Sequence, residues 1–474
     1  MQKTQGSEAV PVAGQRSGLS GSARAWAAFE GGRDPYFPLV SIYIFMPYVA
    51  TVLIGDAVKG QAIIAAYALL GGLIAALTAP LLGAAADRLG RRFPPLFVLS
   101  LLFAPLVFSL WWAKPDGSGL SVPTILVITL FISLVFTYGE VFHNSLLPYA
   151  ARNSLDAASM SGAGLALGNV VSVAALVFVL WAFALPGKVN WAFVPKVPLF
   201  GLAVGSSETS RIAAPISALL FVLGAIPLFL FSQDAPRRDN KILSAIGGGA
   251  RDLLALVKSV RQHRDAAIYL GSRMLFSDAQ IALITFSGIY AAGVMHWHVL
   301  EMTAFGILMS SFAALGGLFA SKLDRVLGPK RALQVEIIGT IVGIVALLSV
   351  SPAGMRFVFT ADPSAAPLWN GPVFTRLPEI VFLAIGGVVA VCNTAIFASG
   401  RTFLTHLTPP GQSGAFFGLY ALSSTATVWL GPLAVQTAVV TFHSQQAGNV
   451  AIAILLALGL IPLSLVRDPA RHRT

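Results

Sequence analysis

Apolar runs of about 20 residues recur along the whole chain, separated by short polar segments, and each is long enough to cross a hydrocarbon core as a helix. The runs do not alternate between apolar and polar residues, as the strands of a membrane barrel would. The pattern therefore predicts an all-α membrane protein with twelve transmembrane helices, at residues 36–57, 61–85, 94–113, 122–147, 159–185, 211–233, 266–293, 299–321, 332–351, 378–400, 414–440 and 447–466.

The composition supports this fold class, because 56% of the 474 residues are hydrophobic and 11% are charged. A soluble domain carries about 25% charged residues. The net charge of +11 arises from short basic loops, so it indicates membrane topology rather than a nucleic-acid partner. The distribution of Lys and Arg predicts that both termini and the central loop are cytoplasmic. The low Lys and high Ala, Gly and Arg content is typical of a GC-rich bacterium, so we expect a bacterial inner membrane.

The longest gap between spans divides the chain into two bundles of six helices. We expect a cytoplasmic N-terminal tail without a signal peptide, two bundles, a cytoplasmic linker containing a partly amphipathic surface helix, and a short cytoplasmic tail. The corresponding ranges are 1–35, 36–233, 234–265, 266–466 and 467–474. The first 22 residues are rich in Ser, Gly and Gln, which predicts a disordered segment.

Two features repeat at equivalent places in the two halves. GAAADRLGRRFP at 83–94 and FASKLDRVLGPKR at 319–331 each follow the second span of a bundle and join an Asp-Arg pair to a basic cluster. We call these stretches the first and second knots. SGAGLALG at 161–168 and SGAFFGLYAL at 413–422 open the fifth and eleventh spans with GxxxG pairs, which favour close helix packing. Such repetition is typical of a duplicated transporter.

The first knot resembles the cytoplasmic loop signature of the major facilitator superfamily, and the second resembles a weaker copy of it. The resemblance implies a contact between the halves that closes in one state and opens in another. The residues of this conformational gate would be Gly83, Asp87, Arg88, Gly90, Arg91, Arg92, Asp324 and Arg325. The alternative is that both knots are only basic anchors of the topology.

A narrower resemblance covers most of the chain. The segments AWAAFEGGRDPYFPLVSIYIFMPYV, FHNSLLPYAA, GSRMLFSDAQIALITFSGIYAAGV and GAFFGLYALSSTATVWLGP resemble the vacuolar-effluxer-like branch of the superfamily, whose fungal members are described as autophagy-related amino-acid effluxers. This implies a secondary transporter that exports a small solute, with amino acids as candidates. The chain departs from many relatives at residues 30–35, where it has EGGRDP instead of an Asp-aromatic-small-Asn run.

Ionisable groups inside apolar spans are costly, so they are candidates for function. By the superfamily resemblance, the first, fourth, seventh and tenth spans line a central cavity. The candidates for substrate binding or coupling are Glu140, His143, Asn144, Arg273, Asp278, Gln280 and Asn393. Arg273 lies at the predicted depth of Glu140, so it could pair with that carboxylate across the cavity or bind a substrate carboxylate. A fixed ion pair or a hydrogen bond between helices is the alternative for each.

Other polar residues favour structural roles. Glu379 and Arg401 lie near span ends, and Asn169 could hydrogen-bond between helices. Arg33 and Asp34 precede Pro35, where capping and anchoring are as plausible as binding.

No motif indicates an enzyme, a metal site or a cofactor, because the sequence has neither HExxH nor GxSxG and has a single cysteine. We expect a small-molecule substrate, protons as a candidate coupling ion, the lipid bilayer as partner, no nucleic acid, and a monomer. The alternatives are a multidrug or amphiphile exporter of the same fold, and a non-transporting membrane sensor.

Overall fold

The protein, represented by a computed structural model, is almost entirely helical. The structure describes residues 20–150, 154–203, 206–236, 248, 251, 255, 258, 262–362, 364, 366–409 and 413–467. Within these residues, twelve helical segments are long and apolar enough to span a membrane, which confirms the predicted fold class. We number them spans 1 to 12: Gly21–Leu53, Ala57–Ala86, Phe93–Trp112, Val122–Leu147, Met160–Ala184, Glu208–Phe231, Arg264–Met295, Val299–Leu327, Pro329–Leu348, Leu377–Leu407, Phe416–Phe442 and Gln445–Leu465.

Span 1 begins well before its predicted start at residue 36, so the expectation of a tail over 1–35 is wrong for its second half. The side chain of Ser20 accepts a hydrogen bond from the N–H of Ala23 and caps the α-helix Gly21–Arg33. Its polar residues lowered the apolar signal, although several of them are buried against other spans. Residues 1–19 lie outside the described residues, so the predicted disorder there is not tested.

Span 1 is irregular beyond this first helix. It continues as the π-helical turn Phe37–Ile42, the short α-helix Phe45–Tyr48 and a second π-helical turn, Val49–Leu53. Proline residues in this stretch remove backbone donors and favour such distortions. Span 7 packs against the distorted stretch at Gly288, where a Cβ atom would collide with the carbonyl oxygen of Ile42.

Span 11 is broken in the middle. The α-helices Ser413–Ala426 and Leu430–Phe442 are separated by the turn Thr427–Trp429, which we call the span-11 break. The N–H of Leu430 donates to the carbonyl of Thr427 at 2.7 Å, which closes the turn. Because Pro432 follows in the first turn of the second half-helix, its missing N–H causes little loss there.

Spans 1, 5 and 6 pack together in the first half, and spans 8, 9 and 10 in the second, while span 7 packs on span 12. The halves meet where span 2 contacts span 11 and span 5 contacts span 8. At the predicted outer end, Gln445 Nε2 donates to the carbonyls of Ala57 and Ile289, both at 3.2 Å. Tyr43 and Phe305 also meet there edge to face, with ring centroids 5.6 Å apart. These contacts hold the predicted outer ends of the halves together.

The connections add little regular structure. Three short antiparallel strands, Val350–Ser351, Gly354–Met355 and Phe359–Thr360, pair in sequence order between spans 9 and 10. Most of the predicted linker and nearly all of the tail at 467–474 lie outside the described residues. The linker helix, the tail and the division at 234–265 therefore stay predictions.

Candidate functional site

Four polar side chains of spans 1 and 4 form a buried group, which we call the amino-half cluster: Glu30, Arg33, Asp34 and His143. The guanidinium of Arg33 donates to Glu30 Oε2 at 2.6 Å and lies 3.6 Å from Asp34 Oδ1. His143 Nδ1 lies 3.2 Å from the other oxygen of Glu30. Glu30 therefore contacts both a cation from its own helix and an imidazole from span 4.

His143 is fully buried and is held between two rings of span 1. Its ring stacks on Trp26 at 4.3 Å and on Phe29 at 4.4 Å between centroids. The indole N–H of Trp26 donates to the carbonyl of His143 at 3.0 Å, and His143 Nε2 lies 3.2 Å from the carbonyl of Trp26. These contacts make His143 a buried link between spans 1 and 4.

The glycine pair of span 5 makes room for this cluster. A Cβ atom at Gly164 would lie 2.9 Å from the ring of Trp26, and one at Gly168 would overlap with the carboxyl of Asp34. The GxxxG pair thus allows span 5 to pack closely on span 1. The space at the two glycines is filled by side chains of span 1.

Glu140 and Asn144 lie one turn apart on span 4 and are exposed. Glu140 acts electrostatically on Arg33 of span 1. Among the described residues no ion pair joins Glu140 to Arg273, so the pairing considered across the cavity is not formed in this structure. Arg273 donates instead to span 11, and Arg33, which the sequence placed at the start of span 1, lies inside the bundle and interacts with Glu140.

Arg273 of span 7 is bound to the first half of span 11. Its Nη1 donates to the carbonyl of Tyr420 and to Ser423 Oγ, both at 2.7 Å. The guanidinium carbon also lies 3.5 Å from the centroid of the Tyr420 ring. These residues are in the last turns of Ser413–Ala426, and a cation is favourable near the C-terminal end of a helix.

Asp278, also on span 7, faces the span-11 break. Its side chain is buried, and neither carboxyl oxygen has a hydrogen-bond partner within the described part of the chain. The hydroxyl of Thr427 and the N–H of Leu430 lie beside it. Asp278 thus meets the N-terminal end of the second half-helix, while Arg273 meets the C-terminal end of the first.

Gln280 and Asn393 are buried between spans 7 and 10. Gln280 Nε2 donates to the carbonyl of Asn393 at 2.8 Å, which is the hydrogen bond between helices that the sequence left open. The side-chain oxygen of Asn393 has no hydrogen-bond partner among the residues described.

Glu336 of span 9 is a buried carboxyl that the sequence analysis missed. Its Oε1 accepts a hydrogen bond from Ser399 of span 10 at 2.8 Å, and its side chain is fully shielded. The signal was available, because Glu336 is an acidic residue within the predicted ninth span, one turn from its start.

The residues expected at span ends differ in their contacts. Glu379 accepts hydrogen bonds from the indole N–H of Trp297 and the backbone N–H of Arg376, both at 3.0 Å, and so caps span 10. Arg401 and Asn169 are exposed.

The first knot is the end of a helix rather than a free loop. Gly83, Asp87 and Arg88 lie within the helix Ala57–Leu89, Gly90 ends it with φ of +90°, and Arg91 is exposed. Arg92 is buried in the first half, where its Nε donates to Ser145 Oγ at 3.3 Å. Its backbone N–H donates to Asp234 Oδ1 at 2.8 Å. The side chain of Asp87 lies outside the description, so its part in a gate stays a prediction.

The second knot is likewise helical. Asp324 and Arg325 lie in the last turn of Val299–Leu327, and Gly328 ends the helix with φ of +79°. The side chain of Arg325 donates to the carbonyl of Ser321 at 3.1 Å. This contact is local to span 8, and the gating role of the second knot also stays a prediction.

A cavity of about 430 Å³ lies at the predicted outer end, between the halves. Spans 1, 5, 7 and 8 contribute aromatic and apolar walls, including Tyr43, Tyr48, Phe183 and Trp297. Lys188, His298 and Glu301 add charged or polar groups to the lining.

Comparison with known proteins identifies relatives over most of the chain. A model of the family described as "Vacuole effluxer Atg22 like" matches residues 52–473. Autophagy-related protein 22 of Yarrowia lipolytica is 23% identical over 329 residues, which are 65% of this chain and 49% of that protein. Autophagy-related protein 22-1 of Aspergillus clavatus is 27% identical over 47% of this chain and 34% of its own length. The chain thus spans about half or less of the length of these curated relatives.

Solved structures show the same fold at low identity. A point mutant of the nucleoside transporter NupG has a TM-score of 0.63 and 13% identity, covering 94% of this chain and 99% of its own. A D-xylose-proton symporter has a TM-score of 0.63 and 12% identity, covering 95% and 99%. The peptide transporter POT has a TM-score of 0.62 and 15% identity, covering 96% of each chain. The chain therefore has the major facilitator fold and belongs to the vacuole effluxer Atg22-like family.

Proposed function

We propose that the protein is a secondary transporter that moves a small solute across the membrane by alternating access between its two halves. The observation that carries the proposal is the burial of ionisable side chains inside spans 1 and 7, because such groups are costly in a membrane and mark transport pathways. The fold and the family membership support it. On this proposal the chain is not an enzyme.

We propose export as the direction and amino acids as the substrate class. The family is described as vacuole effluxers, and the resemblance to its fungal branch implies amino acids. The bacterial inner membrane, cytoplasmic termini and a monomeric state are parts of the same proposal. A reporter fused after residue 474 tests the topology, because a cytoplasmic terminus keeps a periplasm-dependent reporter inactive.

The exposed carboxylate of Glu140 suits the ammonium group of an amino acid. Asp34 supports this assignment, because it is the partly exposed member of the amino-half cluster, with 24% of its side chain accessible. Arg273 is less suited to hold the carboxylate of a substrate, because its guanidinium already donates two hydrogen bonds to span 11. We therefore expect recognition of the substrate to depend more on Glu140 than on Arg273.

The test is counterflow of labelled amino acids in proteoliposomes that contain the full chain. Glu140→Gln should lower the uptake of amino acids at least about tenfold, which corresponds to the loss of one charge-assisted contact. Arg401→Gln, which alters an exposed cation near the end of span 10, should leave the uptake unchanged. Absence of uptake for every amino acid by the wild-type protein would overturn the proposed substrate class.

The outer cavity supports a second candidate function, export of an amphiphile or drug. Its aromatic walls suit a large apolar cation better than a small zwitterion. Tyr48→Ala and Trp297→Ala should then abolish export of a fluorescent lipophilic cation from cells. Normal export of that dye by both variants, together with amino-acid counterflow, would exclude this alternative.

A further inference from the structure

The span-11 break places two opposite helix ends against span 7. An interrupted helix leaves carbonyl groups at the end of its first half and N–H groups at the start of its second half. Groups of this kind cannot remain unsatisfied inside a membrane. The ends at Ala426 and Leu430 therefore need partners, and span 7 offers Arg273 to one and Asp278 to the other.

The contact at the first end is complete. Arg273 binds a carbonyl and a hydroxyl of the first half-helix and covers the ring of Tyr420. Its positive charge complements the partial negative charge at this helix end. Arg273 is therefore fixed and does not make an ion pair with Asp278 in the described part of the structure.

The contact at the second end is incomplete. The two polar groups beside Asp278 already have partners, since the Thr427 hydroxyl donates to the carbonyl of Met274 at 3.1 Å and the Leu430 N–H donates to Thr427. Neither oxygen of Asp278 has a hydrogen-bond partner among the described residues, and only 1% of the residue is exposed. A buried carboxylate without hydrogen bonds is unfavourable unless a cation compensates its charge.

Within the described residues, Arg273 is the one charged group that acts on Asp278. The other titratable groups close to Arg273 there are the phenols of Tyr269 and Tyr420. Span 12 faces span 7 through the carbonyl of Gly459, and span 2 approaches the break through Gly72. Since Arg273 is held by span 11, we expect a cation from solution to compensate Asp278.

We propose that Asp278 is the coupling site of this transporter and that the ion it binds is a proton; this inference rests on the proposed function. The site has one carboxylate beside the positive end of the second half-helix, which disfavours a metal cation. A proton bound to the carboxylate leaves a neutral group there instead of a fixed positive charge. The described residues hold no group of three or more His, Cys, Asp or Glu side chains that could bind a metal ion.

The proton would act on the break itself. When a proton from water binds a carboxylate oxygen, the O–H bond makes Asp278 neutral and removes its attraction for the second half-helix. When the proton leaves to water, the carboxylate attracts the N-terminal end of that half-helix again. The backbone of Trp429 packs against Gly72 of span 2, where a Cβ atom would lie 2.9 Å from the Cα of Trp429. A movement of the break is therefore transmitted to the interface between the halves.

The fluorescence of Trp429 gives a test that does not need a substrate. The full-length protein in detergent is titrated with acid, and the signal of Trp429→Phe is subtracted to isolate this indole. The wild-type difference signal should titrate in one step, and Asp278→Asn should abolish that step. Glu336→Gln, which alters another buried carboxyl of the same half, should retain this step. Asp278→Glu, which keeps a carboxyl, should titrate at a shifted midpoint.

Two outcomes would overturn the inference. One is a titration that persists in Asp278→Asn or disappears in Glu336→Gln. The other is a response of the difference signal to NaCl, compared with choline chloride at fixed pH, because it would assign sodium to the site. If proteoliposomes show no transport while the titration depends on Asp278, the proposed function fails and the proton site stands.

Discussion

Buried ionisable side chains are arranged differently in the two halves of the molecule. In the amino-half cluster, Arg33 and Glu30 form an ion pair at 2.6 Å, and His143 is packed between rings beside them. On span 7, the opposite charges of Arg273 and Asp278 do not meet, and each faces one end of a broken helix. Paired charges fix a structure, whereas an unpaired carboxyl at a helix end responds to a cation. The comparison assigns a structural role to the first region and a switching role to the second.

The largest expected effect comes from breaking the pair in the amino-half cluster. Glu30→Ala should destabilise the protein by about 3 kcal/mol, because it removes the carboxylate in closest contact with the buried Arg33 and leaves the weaker contacts with Asp34 and Glu140. The double variant Glu30→Gln/Arg33→Gln should lose less, since it removes both charges. The free energy of unfolding of both variants can be measured in detergent, with circular dichroism as the signal. A double variant less stable than Glu30→Ala would contradict the view that the Glu30–Arg33 ion pair stabilises the amino-half cluster.

A smaller effect is expected where span 5 packs on the cluster. Gly168→Ala places a methyl group against the carboxyl of Asp34 and should cost about 1–3 kcal/mol through overpacking. Gly162→Ala is the matched control on the same helix, because its Cβ atom would contact no other group within 4 Å. Equal thermal stability of the two variants would contradict the proposed packing.

Removing one hydrogen bond at the end of the first half-helix should cost less. Ser423→Ala leaves Arg273 bound to the carbonyl of Tyr420, so we expect a loss of about 1.5 kcal/mol, the lower end for a hydrogen bond to a charged group. The titration of the Trp429 signal should persist, because Asp278 is unchanged. Loss of that titration in Ser423→Ala would mean that the two ends of the break act as one unit.

The smallest effect on stability is expected at the exposed residue Glu140. Glu140→Gln should change the free energy of unfolding by about 0.5 kcal/mol or less, as is usual for exposed positions. Its effect on counterflow should be large by contrast. A stability loss comparable with that of Glu30→Ala would place Glu140 in the structural cluster instead of the substrate site.

The fold and the span 7 residues could be predicted from sequence, whereas the amino-half cluster could not. Apolar runs identify a span when it faces lipid, and Arg273 and Asp278 stood out inside such a run. The helix Gly21–Arg33 contains Glu30 and Arg33, so its sequence has the polarity of a tail, although the packing of spans 4, 5 and 6 buries it.

The span-11 break does have a signal in the sequence, because Pro432 follows it closely and lacks the N–H that would bond to the carbonyl of Val428 in a continuous helix. The turn is stabilised by tertiary contacts with span 7, and such contacts are not visible in a local pattern. Glu336 also has a clear signal in the sequence, since it is a lone acid in an apolar span.

The most direct test of the account is amino-acid uptake into proteoliposomes under an imposed pH gradient, compared between the wild-type protein and Asp278→Asn. The account predicts that the wild-type protein accumulates labelled substrate in response to the gradient. Asp278→Asn should still exchange substrate by counterflow but should show no accumulation. Equal gradient-driven accumulation by both proteins would contradict the assignment of the coupling proton to Asp278.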